Sequence, residues 1–399
     1  MTGQPQHVVV VGAGLAGIRT AEQLRAAGFR GGITLVGAER HLPYDRPPLS
    51  KQVLTGEWDP ERIVLCGTSR LDELGISARF GAAAVSLHEG RVGLADGTEV
   101  SGDAIVIATG VAARRLPGQP DTAHTLRTLD DTLALREALA TARSLLVVGA
   151  GFVGAEVAGA ARAHGIEVTV VEAMPVPFTR ALGPEIGAVC ARLLTDAGVD
   201  LRTGARLERF TEGSGVELTD GTCLDADVLL VGVGGVPELG WLETSGVDTS
   251  AGVPCDARGR VEGLPGVWAV GDVAAWRDPA RGGLHRSEHW TNAADQAAAV
   301  ARDIVGAEAP TPSTPYFWSD QFGLKIQLVG RPELADTVMP LNGDGLDGGP
   351  VKGTVAAYFG GTRLVGVVGF GAARLIARYR GLVGREADRA EVLALATSG

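Results

Sequence analysis

Two copies of one glycine fingerprint, HVVVVGAGLAG and SLLVVGAGFVG, stand in this chain of 399 residues. Each follows an apolar run of strand length and opens a segment of helical character. The first sets Gly12, Gly14 and Gly17 in the G-x-G-x-x-G spacing, with Glu39 beyond the next apolar run. The second repeats the spacing at Gly149, Gly151 and Gly154, and its next apolar run ends at Glu172. In such a turn the first glycine permits a tight bend, the second lets backbone approach a pyrophosphate, and the third lets helix pack on strand. The helix that follows presents free N–H groups and a positive dipole end to the phosphates. An acid about twenty residues on accepts hydrogen bonds from a ribose diol. One fingerprint holds one dinucleotide. Two in one chain predict two dinucleotides held face to face, the arrangement that passes hydride from a nicotinamide to a flavin.

Composition supports a multidomain globular chain. Hydrophobic residues make up 45% and charged residues 21%, enough to build a core, and the length suits two or three domains. A formal net charge of -11 argues against nucleic-acid binding. No apolar run approaches the length of a membrane span. The N-terminal MTGQPQH lacks a charged-then-apolar signal pattern, so a cytoplasmic location is expected.

The cysteines exclude chemistry. Cys66, Cys190, Cys223 and Cys255 are far apart, whereas a thiol-disulfide flavoenzyme needs two close together. A flavin peroxidase needs one reactive cysteine after the first acid, where the chain reads HLPYDRPPLSK and has none. Histidines and cysteines do not cluster at ligand spacing, so no metal site is expected. Redox work is left to a bound cofactor.

The expected fold is α/β: two Rossmann-type dinucleotide-binding domains plus a C-terminal α+β domain. The first domain is discontinuous, over 1–114 and 241–312; the second is inserted over 115–240; the last spans 313–399. The return to the first domain is marked by GVWAVGDVA, an apolar run ending at Gly271 and Asp272. An Asp there can hold the ribityl hydroxyls of FAD, and it is equally a good helix N-cap. TNAADQAAAVARDIV, which follows, reads as a helix whose positive end would favour a reduced flavin. A hairpin is predicted at Asp220-Gly221, and NGDGLDGGP from Asn342 reads as a flexible hairpin loop.

The blocks GAGLAG, YDRPPLSK, ATG, GAGFVGAE, VGD, HWTNAADQA and YFWSDQF occur in this order. In that order the chain resembles the FAD-dependent ferredoxin reductases, the reductase components of bacterial cytochrome P450 and aromatic-ring dioxygenase systems. The likeness extends to rubredoxin reductases and proteins of the apoptosis-inducing-factor type. It implies a glutathione-reductase-like fold. It also implies that Gly12, Gly14, Ala16 and Gly17 hold the FAD pyrophosphate and Glu39 the adenosine ribose. Ala82 would lie near the adenine, and Thr109, Gly110 and Arg114 would line the cofactor. Asp272 would take the ribityl chain, Arg46 and Lys51 would lie along the flavin, and Trp290 and Trp318 would border the isoalloxazine. On the NAD side Gly149, Gly151, Phe152, Val153 and Gly154 would carry the pyrophosphate, Glu172 the ribose, and Gly234 the nicotinamide half.

The resemblance further implies that Lys51 sits near flavin N5 and pairs with Glu156 across two domains. A cation there would favour the electron-rich reduced ring; the plainer reading is a surface ion pair worth little. No arginine directly follows Glu172, and a 2′-phosphate would meet its carboxylate, so NADH is expected over NADPH, with Arg180 the nearest counter-argument.

The implied partner is an iron-sulfur ferredoxin serving a P450 or Rieske-type oxygenase. Small ferredoxins are usually acidic, and Arg374, Arg378 and Arg380, with Arg385 and Arg389, offer a basic docking patch. Arg374 and Arg378 share a helix face. Rubredoxin or a quinone as acceptor, and a redox-sensing role of the apoptosis-inducing-factor type, remain open alternatives.

Overall fold

Runs of β-branched residues buried on both faces make parallel strands here, as helices on either side of a sheet require. A computed structural model describes residues 4–278, 281–311 and 313–397. The chain forms two compact units: one of 1–45, 60–112 and 235–313, the other of 46–59, 113–234 and 314–399.

The first unit is built on a five-stranded parallel sheet. Its order is Val267–Ala269, Ala104–Ile107, His7–Val11, Gly32–Gly37, Ile76–Phe80. The late strand Val267–Ala269 thus pairs with Ala104–Ile107 from the first third of the chain. On one face the fingerprint helix Leu15–Ala26 packs against the helix Trp290–Ile304, with Ile18, Leu24, Val300 and Ala301 fully buried. An antiparallel meander, Ala84–His88, Arg91–Leu94 and Glu99–Ser101, belongs to this unit.

The second unit repeats the theme. Its parallel sheet runs Asp200–Thr203, Glu167–Glu172, Ser144–Val148, Val228–Val231. The hairpin at Asp220-Gly221 is present, joining Val216–Leu218 to Cys223–Leu224 with Gly221 at φ 84°. A five-stranded antiparallel sheet follows: Tyr316–Gln321, Leu324–Gly330, Arg363–Phe370, Val355–Gly360, Thr337–Asn342. One apolar core serves both sheets, because Val147, Val170 and Leu230 belong to the same buried cluster as Ile326, Tyr358 and Phe370. This shared burial makes one unit of the parallel and antiparallel parts.

The repetition extends to detail. Asp103 accepts the backbone N–H groups of Gln6 and His7 at 2.8 and 2.9 Å, fixing the start of the first fingerprint strand. Asp227 does the same for Arg143 and Ser144 at 2.7 and 3.0 Å, at the start of the second.

NGDGLDGGP supplies the connection of a hairpin, as expected, between the antiparallel strands Thr337–Asn342 and Val355–Gly360. It contains a 3-10 turn over Gly345–Asp347, and Arg192 of the helix Thr179–Asp196 donates to the carbonyls of Gly345 and, at 3.0 Å, Gly349. A guanidinium from far along the chain cross-links the glycine-rich turn, which local composition cannot reveal. Among the described residues no helix is long and apolar enough to cross a membrane.

Candidate functional site

The two fingerprints fold into matching cradles. Gly12 has φ 115° and Gly149 φ 104°, backbone that L side chains avoid. A Cβ at Gly12 would stand 2.2 Å from the Ala108 carbonyl oxygen, and one at Gly149 2.5 Å from that of Gly232. The third glycines are equally constrained: a Cβ at Gly17 would meet the Gly12 oxygen at 1.8 Å, and one at Gly154 the Gly149 oxygen at 2.2 Å.

The middle glycines differ. At Gly14 a Cβ would meet nothing within 4 Å, and at Gly151 only the Gly232 oxygen at 3.9 Å. These residues are the N-caps of the helices Leu15–Ala26 and Phe152–Ala163, and neither start has a side-chain cap. Open space, free amides and a positive dipole end coincide at one spot in each unit. That is what a phosphate needs.

Around the first cradle, Glu39 accepts the Tyr44 hydroxyl at 2.5 Å. Ala82 is buried, with its N–H on the Gly37 carbonyl at 2.9 Å. Thr109 donates to the Glu238 carbonyl at 3.0 Å, and Gly110 accepts the Glu238 N–H at 3.1 Å. Asp272 lies in a 3-10 turn, Gly271–Val273, rather than at a strand end; its carbonyl accepts from Arg286 at 2.7 Å. Ala16 is buried beneath the same turn, 2.9 Å from where a Gly271 Cβ would stand. Trp290 is the first residue of its helix and donates its indole N–H to Asp45 at 2.8 Å.

Around the second cradle, Glu172 is held on both oxygens, by the Ala150 N–H at 2.9 Å and the Met174 N–H at 2.8 Å. Its carboxylate is thereby anchored beside the glycine turn. Phe152 turns its ring toward Phe317 and Phe178, centroids 4.4 and 5.2 Å away. Val153 is exposed. Gly234 has φ 98° with open space about its Cα, and its carbonyl accepts the Arg114 N–H at 2.9 Å.

Lys51 and Glu156 meet at 2.9 Å with side chains only 12% and 7% exposed, and both lie in the second unit. This is no surface pair. Lys51 also donates to the Pro47 carbonyl at 2.9 Å. Glu156 further accepts the hydroxyls of Ser50 and Ser319, the latter at 2.5 Å. Gln321 donates to Ser319 at 3.0 Å. Ser50, Ser319 and Gln321 lie in the YDRPPLSK and YFWSDQF blocks, but no role was read for them in the sequence. Their signal was alternation: Ser319 and Gln321 are two apart on one strand and therefore share its buried face. Arg46, in the same segment as Lys51, donates to the Arg127 carbonyl at 2.5 Å.

Trp318, on the strand Tyr316–Gln321, is half-buried, stacked on Tyr316 with centroids 5.9 Å apart and with the Lys325 ammonium 5.9 Å from its ring. The C-terminal arginines separate into two groups. Arg374 and Arg378 are exposed on the helix Ala373–Gly384. Arg380 sits over the Tyr316 ring at 5.6 Å, Arg385 pairs with Glu391, and Arg389 lies over Phe359 at 4.9 Å.

All four cysteines are free thiols. Burial pushes the thiols of Cys66, Cys190 and Cys255 up, Cys190 to about 12, so these three are poor nucleophiles.

Comparison with known proteins agrees with this geometry. A family model described as pyridine nucleotide-disulphide oxidoreductase matches residues 6–297, and one described as reductase C-terminal matches 316–397. Rhodocoxin reductase of Rhodococcus erythropolis is 37% identical over 90% of this chain and 85% of its own. The benzene 1,2-dioxygenase system ferredoxin–NAD(+) reductase subunit of Pseudomonas putida is 41% identical over 81% of this chain and 80% of its own. Among solved structures, the covalent putidaredoxin reductase–putidaredoxin complex superposes with a TM-score of 0.90 at 28% identity, covering 99% of both chains.

Proposed function

The chain belongs to the pyridine nucleotide-disulphide oxidoreductase family, and on that premise we propose that it is an NADH-dependent, FAD-containing ferredoxin reductase. Its electrons go to an iron-sulfur ferredoxin that serves a cytochrome P450 or a ring-hydroxylating oxygenase. FAD, when bound, accepts a hydride from NADH and releases the electrons singly to the carrier. The protein's residues bind, orient and bias that exchange.

We assign FAD to the domain formed by 1–114 and 241–312, NADH to 115–240, and a supporting role to 313–399. Gly12, Gly14, Ala16 and Gly17 take the FAD pyrophosphate, Glu39 the ribose and Asp272 the ribityl chain. Ala82, Thr109, Gly110 and Arg114 line the same cofactor, with Arg46, Trp290 and Trp318 toward its ring. Gly149, Gly151 and Gly154, through the amides of Phe152 and Val153, take the NADH pyrophosphate, and Gly234 admits the nicotinamide half. Glu172, fixed by two backbone amides, receives the adenosine ribose and repels a 2′-phosphate. Lys51 supplies a cation that favours the reduced flavin, held in place by Glu156. Arg374 and Arg378 are the docking residues for an acidic carrier; Arg380, engaged with Tyr316, is a weaker one. We place the protein in the cytoplasm, where its nicotinamide reductant is made.

The observation that carries this reading is the doubled cradle, with an open middle glycine at each uncapped helix start. The test is a comparison of electron acceptors for the FAD-loaded protein with NADH. A small iron-sulfur ferredoxin accepting electrons faster than rubredoxin or a quinone supports it. Slow transfer to every carrier, with a long-lived NADH-reduced state, overturns it in favour of a sensing role.

A further inference from the structure

The Lys51–Glu156 pair is embedded in a hydrogen-bond chain whose direction is fixed by chemistry. A carboxylate only accepts, so Ser319, which touches Glu156 Oε1 at 2.5 Å, must spend its single hydroxyl hydrogen there. The atom of Gln321 that approaches Ser319 Oγ at 3.0 Å must then be its amide nitrogen. The order is therefore Gln321 to Ser319 to Glu156 Oε1, while Glu156 Oε2 takes Lys51 and Ser50. Ser319 is 0% exposed and Gln321 1%, so water cannot substitute for either from the surface. Gln321 Oε1 is left buried with no partner among the described residues.

We propose that Ser319 is a positioning residue for Lys51: by holding Oε1 of Glu156 it aims Oε2 at the ammonium, and Gln321 sets the direction of that hold. The inference rests on the proposed role of Lys51 toward the flavin. Without Ser319, Oε1 loses its hydroxyl partner, the Glu156 carboxylate is held through Oε2 alone, and the Lys51 ammonium is less closely fixed.

The measurement is the flavin midpoint potential of the FAD-loaded protein, with the rate of flavin reduction by NADH alongside. Lys51→Met, Ser319→Ala, the double variant and Ser319→Thr are compared, and flavin absorbance establishes that each has folded and bound FAD. Ser319→Ala is expected to lower the potential in the same direction as Lys51→Met and to slow reduction about tenfold, as loss of one hydrogen bond to a charge implies. The double variant should match Lys51→Met alone, because Ser319 acts through Lys51. Ser319→Thr, which keeps the hydroxyl, should restore the potential. If Lys51→Met shifts the potential and Ser319→Ala does not, Ser319 only fills space and the proposal fails. If Ser319→Ala adds its full effect on top of Lys51→Met, the two are independent and the proposal also fails. If Lys51→Met leaves the potential unchanged, the assigned role of Lys51 falls, and this inference with it.

Discussion

Glu156 takes the Lys51 ammonium at 2.9 Å with both side chains nearly out of solvent, and the residues that complete the site come from three separate stretches of chain. A pair this buried is costly to break from one side, because the survivor keeps its charge without a partner. Glu156→Gln should therefore destabilise the second unit by about 3–5 kcal/mol. Denaturant unfolding of the FAD-loaded protein reads this directly. Adding Lys51→Met should recover much of the loss, whereas a surface pair would show neither effect.

The glycines of each fingerprint should separate folding from binding. Gly17→Ala drives a methyl into the Gly12 carbonyl, a 1.8 Å contact the backbone cannot relieve. It should cost at least about 1–3 kcal/mol of stability. Gly14→Ala meets nothing within 4 Å and sits at φ -78°, which alanine adopts without strain. It should fold normally and lose FAD, visible as a colourless protein with unchanged far-ultraviolet circular dichroism. Gly151→Ala should keep the yellow colour and raise the KM for NADH about tenfold or more.

Partner docking should depend on two arginines and not on their neighbours. Arg374→Glu with Arg378→Glu is expected to slow ferredoxin reduction by about 10-fold or more at low salt, with the deficit shrinking as salt rises. Ferricyanide reduction by NADH should be unaffected. Arg385→Glu breaks the contact with Glu391 instead, and should alter stability of the C-terminal helices while leaving the salt dependence of ferredoxin reduction alone.

Acid stability should carry the mark of Asp227. The backbone N–H groups of Arg143 and Ser144 hold its carboxyl below the ordinary range. Its contribution to folding is complete above the unfolded carboxyl pKa of about 3.9 and is lost as pH falls through the lower folded value. Asp227→Asn should thus be less stable than the parent at pH 7, and the gap should close as pH falls below the unfolded carboxyl value and through the lower folded one. Urea midpoints measured across that range check the sign.

The local features were legible and the long-range ones were not. Both cradles could be read from residue spacing, since three glycines constrain backbone that a strand and a helix already define. The pairing of Lys51 with Glu156 was reachable only through resemblance, because nothing between the two positions links them. Ser319 and Gln321 lie in the YFWSDQF block, which was read for its resemblance and not as a strand, so the alternation that buries both on one face became visible only with the fold. The Arg192 clamp on Gly345 and Gly349 was invisible for the same reason, and a glycine-rich run read as loose. Clustering of 46–59 with the second unit likewise depends on contacts distant in sequence, such as Arg46 with Arg127.

The most direct test of the whole account is an anaerobic stopped-flow record of the FAD-loaded protein mixed with NADH and, separately, with NADPH. Rapid bleaching of the flavin by NADH is expected, with a long-wavelength charge-transfer band and little reaction with NADPH, and Glu172→Gln should narrow the difference. Equal or faster bleaching by NADPH would contradict the role given to Glu172. No bleaching by either nucleotide would mean that the two cradles bind their ligands without passing hydride between them.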